Sequence, residues 1–238
     1  MTFANLPLGE QRTHGVELNI TRRFSKGFTV AGSYSGNRIR NLEALNEYER
    51  EPTYWLPSTS GRPHRFTANG LAELPFGAGR KYVNSGVLGA ILGGWQVGGT
   101  MEYQPGALLA WNNVNPFFYG DYGDIPSDDP TIERWFNIDA GFERDPLKAP
   151  ANFQKRVFPL RIEGVTGPDF LLINANVLRA FSLPKGRTFS FRVDVINVTN
   201  RTTFSNPNVN PTSTDFGRIL TATSATPRFV QFVGKLTF

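Results

Sequence analysis

Seven stretches of the chain alternate apolar and polar residues with period two, the pattern of strands with one apolar and one wet face. In His14 to Arg22, Val16, Leu18 and Ile20 oppose Glu17, Asn19 and Thr21. Phe28 to Tyr34 and Arg65 to Leu74 follow the same rule, with Phe66, Ala68 and Leu74 opposite Arg65, Thr67 and Glu73. Trp95 to Tyr103 sets Trp95, Val97, Met101 and Tyr103 against Gln96, Thr100 and Glu102. Leu171 to Leu183 is the fifth stretch, and its alternation breaks at Leu178 and Arg179, which predicts a bulge there. Arg187 to Val195 sets Phe189, Phe191 and Val193 against Ser190, Arg192 and Asp194. The last stretch, Arg228 to Phe238, places Val230, Phe232, Gly234, Leu236 and Phe238 together and ends on a bare aromatic.

The connections carry as much information as the strands. Ser25-Lys26-Gly27 and Pro184-Lys185-Gly186 read as tight turns. A medium connection holds Gly86 to Leu92, small and apolar, predicted as a turn or two of helix. Asn37 to Gly61, Gln104 to Asp169 and Asn197 to Thr226 are long, the first with a helix-like piece, NLEALNEYER. Short and long connections therefore alternate along the whole chain. A β-barrel of the bacterial outer membrane has short turns on one side and long loops on the other, whereas a soluble sandwich has no reason to gather its long loops at one end. Trp95 and Tyr103 bound one apolar face, as aromatics do at the two membrane interfaces. The terminal stretch, about 11 residues long, suffices for a tilted membrane strand.

Three segments carry a resemblance to a known family: FSFRVDVINVTNRTTFSNPN (Phe189 to Asn208), DFGRI (Asp215 to Ile219) and TPRFVQFVGKLTF (Thr226 to Phe238). They resemble the end of the barrel in TonB-dependent receptors of the Oar-like, carboxypeptidase-regulatory-like-domain type. HRFTANGLAELPFGAGR, GWQVGGTMEYQPG and RWFNIDAGF resemble the same group. The insertion signal of such barrels places its glycine five residues before the final aromatic; here Val233 stands there and Gly234 follows. The resemblance implies a C-terminal strip of an outer-membrane barrel, here about seven or eight strands of a wall that closes with about 22. It implies that Phe232, Leu236 and Phe238 form the signal read by the barrel-assembly machinery. It further implies import of a scarce ligand, driven by TonB through an N-terminal plug. Nothing in the chain resembles the plug, and Met1 to Glu10 carries no basic, apolar leader, so the chain reads as part of a longer exported protein. An isolated strip is expected to be an open, curved, antiparallel sheet.

Composition narrows the chemistry. The hydrophobic content is 39%, and no apolar run approaches the roughly 20 residues of a membrane helix. The net charge is +5, but the Arg and Lys are scattered, so nucleic acid is not an expected partner. The absence of cysteine excludes disulfides and thiolate metal sites. His14 and His64 lack a neighbouring nucleophile, and no phosphate loop or zinc motif occurs, so neither enzyme activity nor a cofactor is expected. Asp121, Asp124, Asp128 and Asp129 form an acidic cluster without the spacing of a calcium loop and read better as a solvated loop. Trp111, Phe117, Phe118, Tyr119, Tyr122 and Trp135 crowd the longest loop, either as a ligand-contacting surface or as packing for the loop itself. The two other architectures compatible with the pattern are a small self-contained barrel or adhesin and a secreted β-sandwich. An eighth wall strand within Arg156 to Glu163 would give the small barrel an even strand count.

Overall fold

The computed structural model describes residues 9–46, 54–58, 62–150, 154–224 and 227–238. The start of the chain and the last residues of the NLEALNEYER piece lie outside them. The strands are β1 (Glu10–Ser25), β2 (Phe28–Glu43), β3 (Tyr54–Pro57), β4 (His64–Glu73), β5 (Trp95–Gln104), β6 (Leu108–Ala110), β7 (Arg161–Thr166), β8 (Phe170–Ser182), β9 (Thr188–Ile196), β10 (Thr203–Phe204), β11 (Ala222–Ser224) and β12 (Phe229–Thr237), with one short helix, α1 (Gly86–Leu92). The main sheet runs β1-β2-β4-β5-β8-β9-β12, and β3 pairs with the far half of β2. Every pairing in it is antiparallel, and among the described residues β1 and β12 do not pair, so the sheet is open.

Register turns the sequence alternation into two continuous faces. Val193 stands opposite Val177 on one side and Phe232 on the other, while Asp194 stands opposite Asn176 and Gln231. Phe191 and Phe232 stack with their centroids 6.4 Å apart. The same bookkeeping across the other pairs gives an apolar face holding Leu18, Val30, Ala68, Met101, Ile173, Phe191 and Leu236. The opposite face is a hydrogen-bonded polar layer. Ser33 meets Thr67 at 2.7 Å, Asn174 donates to Thr100 at 3.2 Å, Arg65 pairs with Glu102 at 3.0 Å and Arg192 with Asp194 at 3.0 Å. Trp95 and Tyr103 lie at opposite ends of the apolar face, and Tyr103 continues a row through Phe66 to Tyr34. Eight residues separate that pair along β5, about 27 Å at 3.4 Å per residue, or about 20 Å of height at a 40° tilt.

The predicted turns are present. Lys26 and Gly27 both have positive φ (54° and 86°), the two-residue geometry whose twist matches a hairpin. Lys185 and Gly186 repeat the pair at φ 65° and 75°. By antiparallel topology both turns and the connection 74–94 share one end of the sheet, and 44–63, 105–169 and 197–228 share the other.

Four readings of the sequence are corrected. β1 and β2 are 16 residues each, far longer than His14–Arg22 and Phe28–Tyr34, because the two strands continue to pair past Gly15 and Asn37 on residues with no alternation to announce them. Asn41–Glu43, expected as the start of a helix-like piece, is the end of β2 and is held by β3. No bulge interrupts β8 at Leu178 and Arg179: the register to β5 and β9 is unbroken there, and Arg179 stands on the apolar face, opposite Trp95 and Phe191. Its charge is met by carbonyl oxygens of Ala90 and Ile91 and by the rings of Trp95 and Phe181, at 5.6 and 4.5 Å. The segment Arg156 to Glu163 does not add a wall strand. It leads into β7, which pairs with β6 outside the main sheet.

Candidate functional site

The best-packed region is not the sheet but the assembly of loops at one of its ends. Leu109, Trp111, Ile125, Phe136, Phe142, Phe158, Ile162, Val165 and Phe216 form one buried cluster there. Trp111 is fully buried and meets Phe158 and Phe136 edge-on, with centroids 5.5 and 6.2 Å apart. Phe216, from the DFGRI segment, meets Phe142 at 5.0 Å and Phe136 at 5.2 Å. The loop after β9 is thus part of the core built by the loop after β5.

Backbone hydrogen bonds fasten the same two loops. Trp135 donates its amide to Gly217 O at 2.8 Å and its indole N–H to Thr166 O at 2.7 Å. Ile219 N donates to Ile132 O at 2.8 Å. Gly217 has φ 81°, and a Cβ there would run into Ile138, so only glycine closes this corner. The Arg218 guanidinium, hydrogen-bonded to Glu133 and flanked by Asp215, is held above its ordinary pKa. The cap is also tied to the extended β2. Arg161, almost wholly buried, pairs with Glu43, and Arg156 N donates to the Asn46 side chain at 2.6 Å. Burial pushes the Arg156 guanidinium below its usual pKa.

Asn197 directs the chain from the wall into the cap. It has φ 52°, is buried, and its amide N–H donates to Asn174 Oδ1 at 3.0 Å. Its own side chain then bonds both N and O of Arg201, at 3.0 Å each. The sequence offered a signal for this turn in the run of Asn and Thr after β9.

The six loop aromatics are not equivalent. Trp111 lies at the centre of the cap core, and Phe118 packs against that core between Tyr122, Phe142 and Phe158. Tyr122 stacks on Phe118 at 5.1 Å, and burial pushes its phenol pKa up. Trp135 packs on the core's edge and Tyr119 is 73% exposed. Phe117 lines a cleft of about 350 Å³ between three loop pieces, walled by Pro116, Pro150 and Pro211 together with Asn115, Gln154 and Asn210. That volume lies within the range of small-molecule sites. Part of the lining's capacity is already spent within the loops, since the Asn115 amide donates to Gln154 O at 3.3 Å and Asn210 Oδ1 accepts from Thr212 N at 3.2 Å, and Glu143 adds a carboxylate to the wall, so the cleft is polar rather than apolar.

Of the acidic cluster, Asp121 accepts from Gly123 N at 2.7 Å and caps a short turn. Among the described residues no three carboxylate or imidazole groups converge as metal ligands would. His64 stacks on Tyr34 and hydrogen-bonds its hydroxyl at 2.8 Å, while His14 lies opposite Arg38 on the edge hairpin. Phe232 and Leu236 lie exposed on the apolar side of β12, and Phe238, just past its end, is exposed with the Arg187 guanidinium 5.3 Å from its ring centroid.

Residues 4–231 match the family model described as outer membrane beta barrel domain. No curated protein and no solved structure gives a significant match. An antiparallel sheet with one apolar face, short turns at one end and long loops at the other is the general plan of an outer-membrane β-barrel wall. The match spans nearly the whole chain, so the chain belongs to the outer membrane β-barrel domain family and has its place in the bacterial outer membrane.

Proposed function

We propose that this chain is the C-terminal wall and loop cap of a TonB-dependent receptor that binds a scarce ligand outside the cell and imports it. The observation that carries the reading is the pair of open sheet edges. Among the described residues β1 and β12 each pair on one side only, and unpaired edge groups are not tolerated against lipid. Further strands must cover them, which points to a wall wider than seven strands. The family resemblance of the terminal segments supplies the rest of the reading: a plug elsewhere in the receptor, TonB acting through it, and assembly machinery reading Phe232, Leu236 and Phe238. The polar sheet face lines the lumen, and the cleft beside Phe117 is the candidate ligand contact.

Refolded alone into detergent micelles, the chain is expected to give no heat-shifted band on a gel and to aggregate. A compact, protease-resistant, heat-modifiable monomer would favour a self-sufficient small barrel. The transport reading has its own test. Deleting the gene is expected to cause a growth defect on some scarce nutrient in cells with TonB and no additional defect in cells lacking TonB. A further defect without TonB would refute TonB-driven import and leave the barrel itself untouched.

A further inference from the structure

Helix α1 is built inside out for a surface helix in water. Its inward contacts are backbone: a Cβ on Gly89 would sit 2.7 Å from Val83 O, and one on Gly93 would sit 2.7 Å from Gly77 Cα. Glycine therefore lets the helix press directly onto the neighbouring chain. Its large aliphatics point away. Val87 is 76% exposed and Leu88 64%, and Ile91 and Leu92 are exposed one turn later, so four apolar side chains share the outward surface.

The helix sits where the apolar face ends. Trp95 Nε1 donates to Ile91 O at 3.0 Å, and Arg179 donates to the carbonyls of Ala90 and Ile91. Trp95 and Arg179 are opposite one another on the apolar, lipid-facing side of the wall. The exposed aliphatics of α1 thus continue the lipid-facing surface at its short-turn border. That border carries a belt of cations lying over aromatic rings: Arg22 over Phe28 at 4.0 Å, Lys81 over Tyr82 at 5.0 Å, Arg179 over Trp95, and Arg187 over Phe238. Stacked in this way, a guanidinium or ammonium stays at headgroup depth while its aromatic partner sits at the edge of the hydrocarbon.

We infer that α1 is a membrane foot: Val87, Leu88, Ile91 and Leu92 bed into the headgroup–acyl boundary of the phospholipid leaflet at the short-turn side, and the neighbouring cations meet lipid phosphates. The occupant is lipid because the surface is continuous with the lipid-facing wall and because the bordering charges complement phosphate. The inference stands on the outer-membrane placement and not on the transport reading.

The 238 residues hold no cysteine, so they add no background to one introduced thiol, and labelling is read on the isolated protein band. In outer-membrane preparations containing the protein, Leu88→Cys is compared with Tyr119→Cys, which is exposed on the cap. The L88C thiol is expected to react readily with an apolar pyrene maleimide but about tenfold more slowly than the Y119C thiol with a sulfonated, polar maleimide, because lipid admits only the first. Equal rates with the polar reagent would put α1 in water and overturn the inference. Slow reaction with both reagents would mean that protein covers the helix, and would overturn it equally. The cation part is read from phospholipid phosphorus retained on the detergent-extracted protein. Combined R22Q, K81Q and R187Q substitution is expected to lower it about twofold; an unchanged value would refute the phosphate contacts.

Discussion

Trp111→Ala is expected to destabilise the loop cap by about 3–5 kcal/mol, the range for emptying a buried aromatic site. Trp111 is fully buried and touches Phe136 and Phe158, so its removal leaves a hole among rings that cannot all move to fill it. Trp111→Phe keeps most of that volume and is expected to cost much less. Limited trypsin digestion from outside intact cells measures the effect. In W111A, cleavage at Arg134, Arg144 and Lys148, which all lie in the longest loop, should accelerate while the membrane-embedded wall stays protected. Unchanged cleavage of the loop would show that the cap is held by its hydrogen bonds to Gly217 and Thr166 rather than by its aromatic core.

The second large effect is expected in the wall. Val193→Arg should cost about 2–4 kcal/mol, the penalty of an arginine on the lipid face near mid-membrane. Val193 lies between Val177 and Phe232 on the apolar face, well inside β9, where a guanidinium has no route to water. Ser190→Arg is the control. Ser190 faces the polar side, opposite Lys235 and Ala180, and the substitution should be mild. Urea titration of the protein in lipid vesicles, read by heat-modifiable gel mobility, separates the two. Equal costs would mean that the two faces of β9 do not see different solvents.

Arg179 qualifies this rule in an instructive way. It stands on the same apolar face as Val193, yet at the short-turn border, where α1 brings carbonyl oxygens to it and Trp95 and Phe181 cover it. A charge on the lipid face is tolerable where depth is small and partners are supplied.

What the sequence determined by itself is the wall. A strand's alternation is local: Phe189, Phe191 and Val193 announce one face, and Ser190, Arg192 and Asp194 the other, without reference to any distant residue. The tight turns were legible for the same reason, since Lys26-Gly27 and Lys185-Gly186 carry their backbone geometry in their own residues. The alternation of short and long connections then decided which end of the sheet holds the loops. Only the tertiary structure decided the rest. The outer halves of β1 and β2 carry no apolar–polar alternation, because β1 is exposed there and β2 is half-buried against the polar cap, where Glu43 pairs with Arg161; their pairing to one another and to β3 makes them strands. The cap core joins Trp111 to Phe216 across more than a hundred residues, and no local period links them. Arg179 looked like a bulge because a charge breaks an apolar pattern, and the helix that neutralises it arrives from a different connection. Periodicity records which solvent each side chain meets along one strand, whereas these features depend on which distant segment comes to lie beside it.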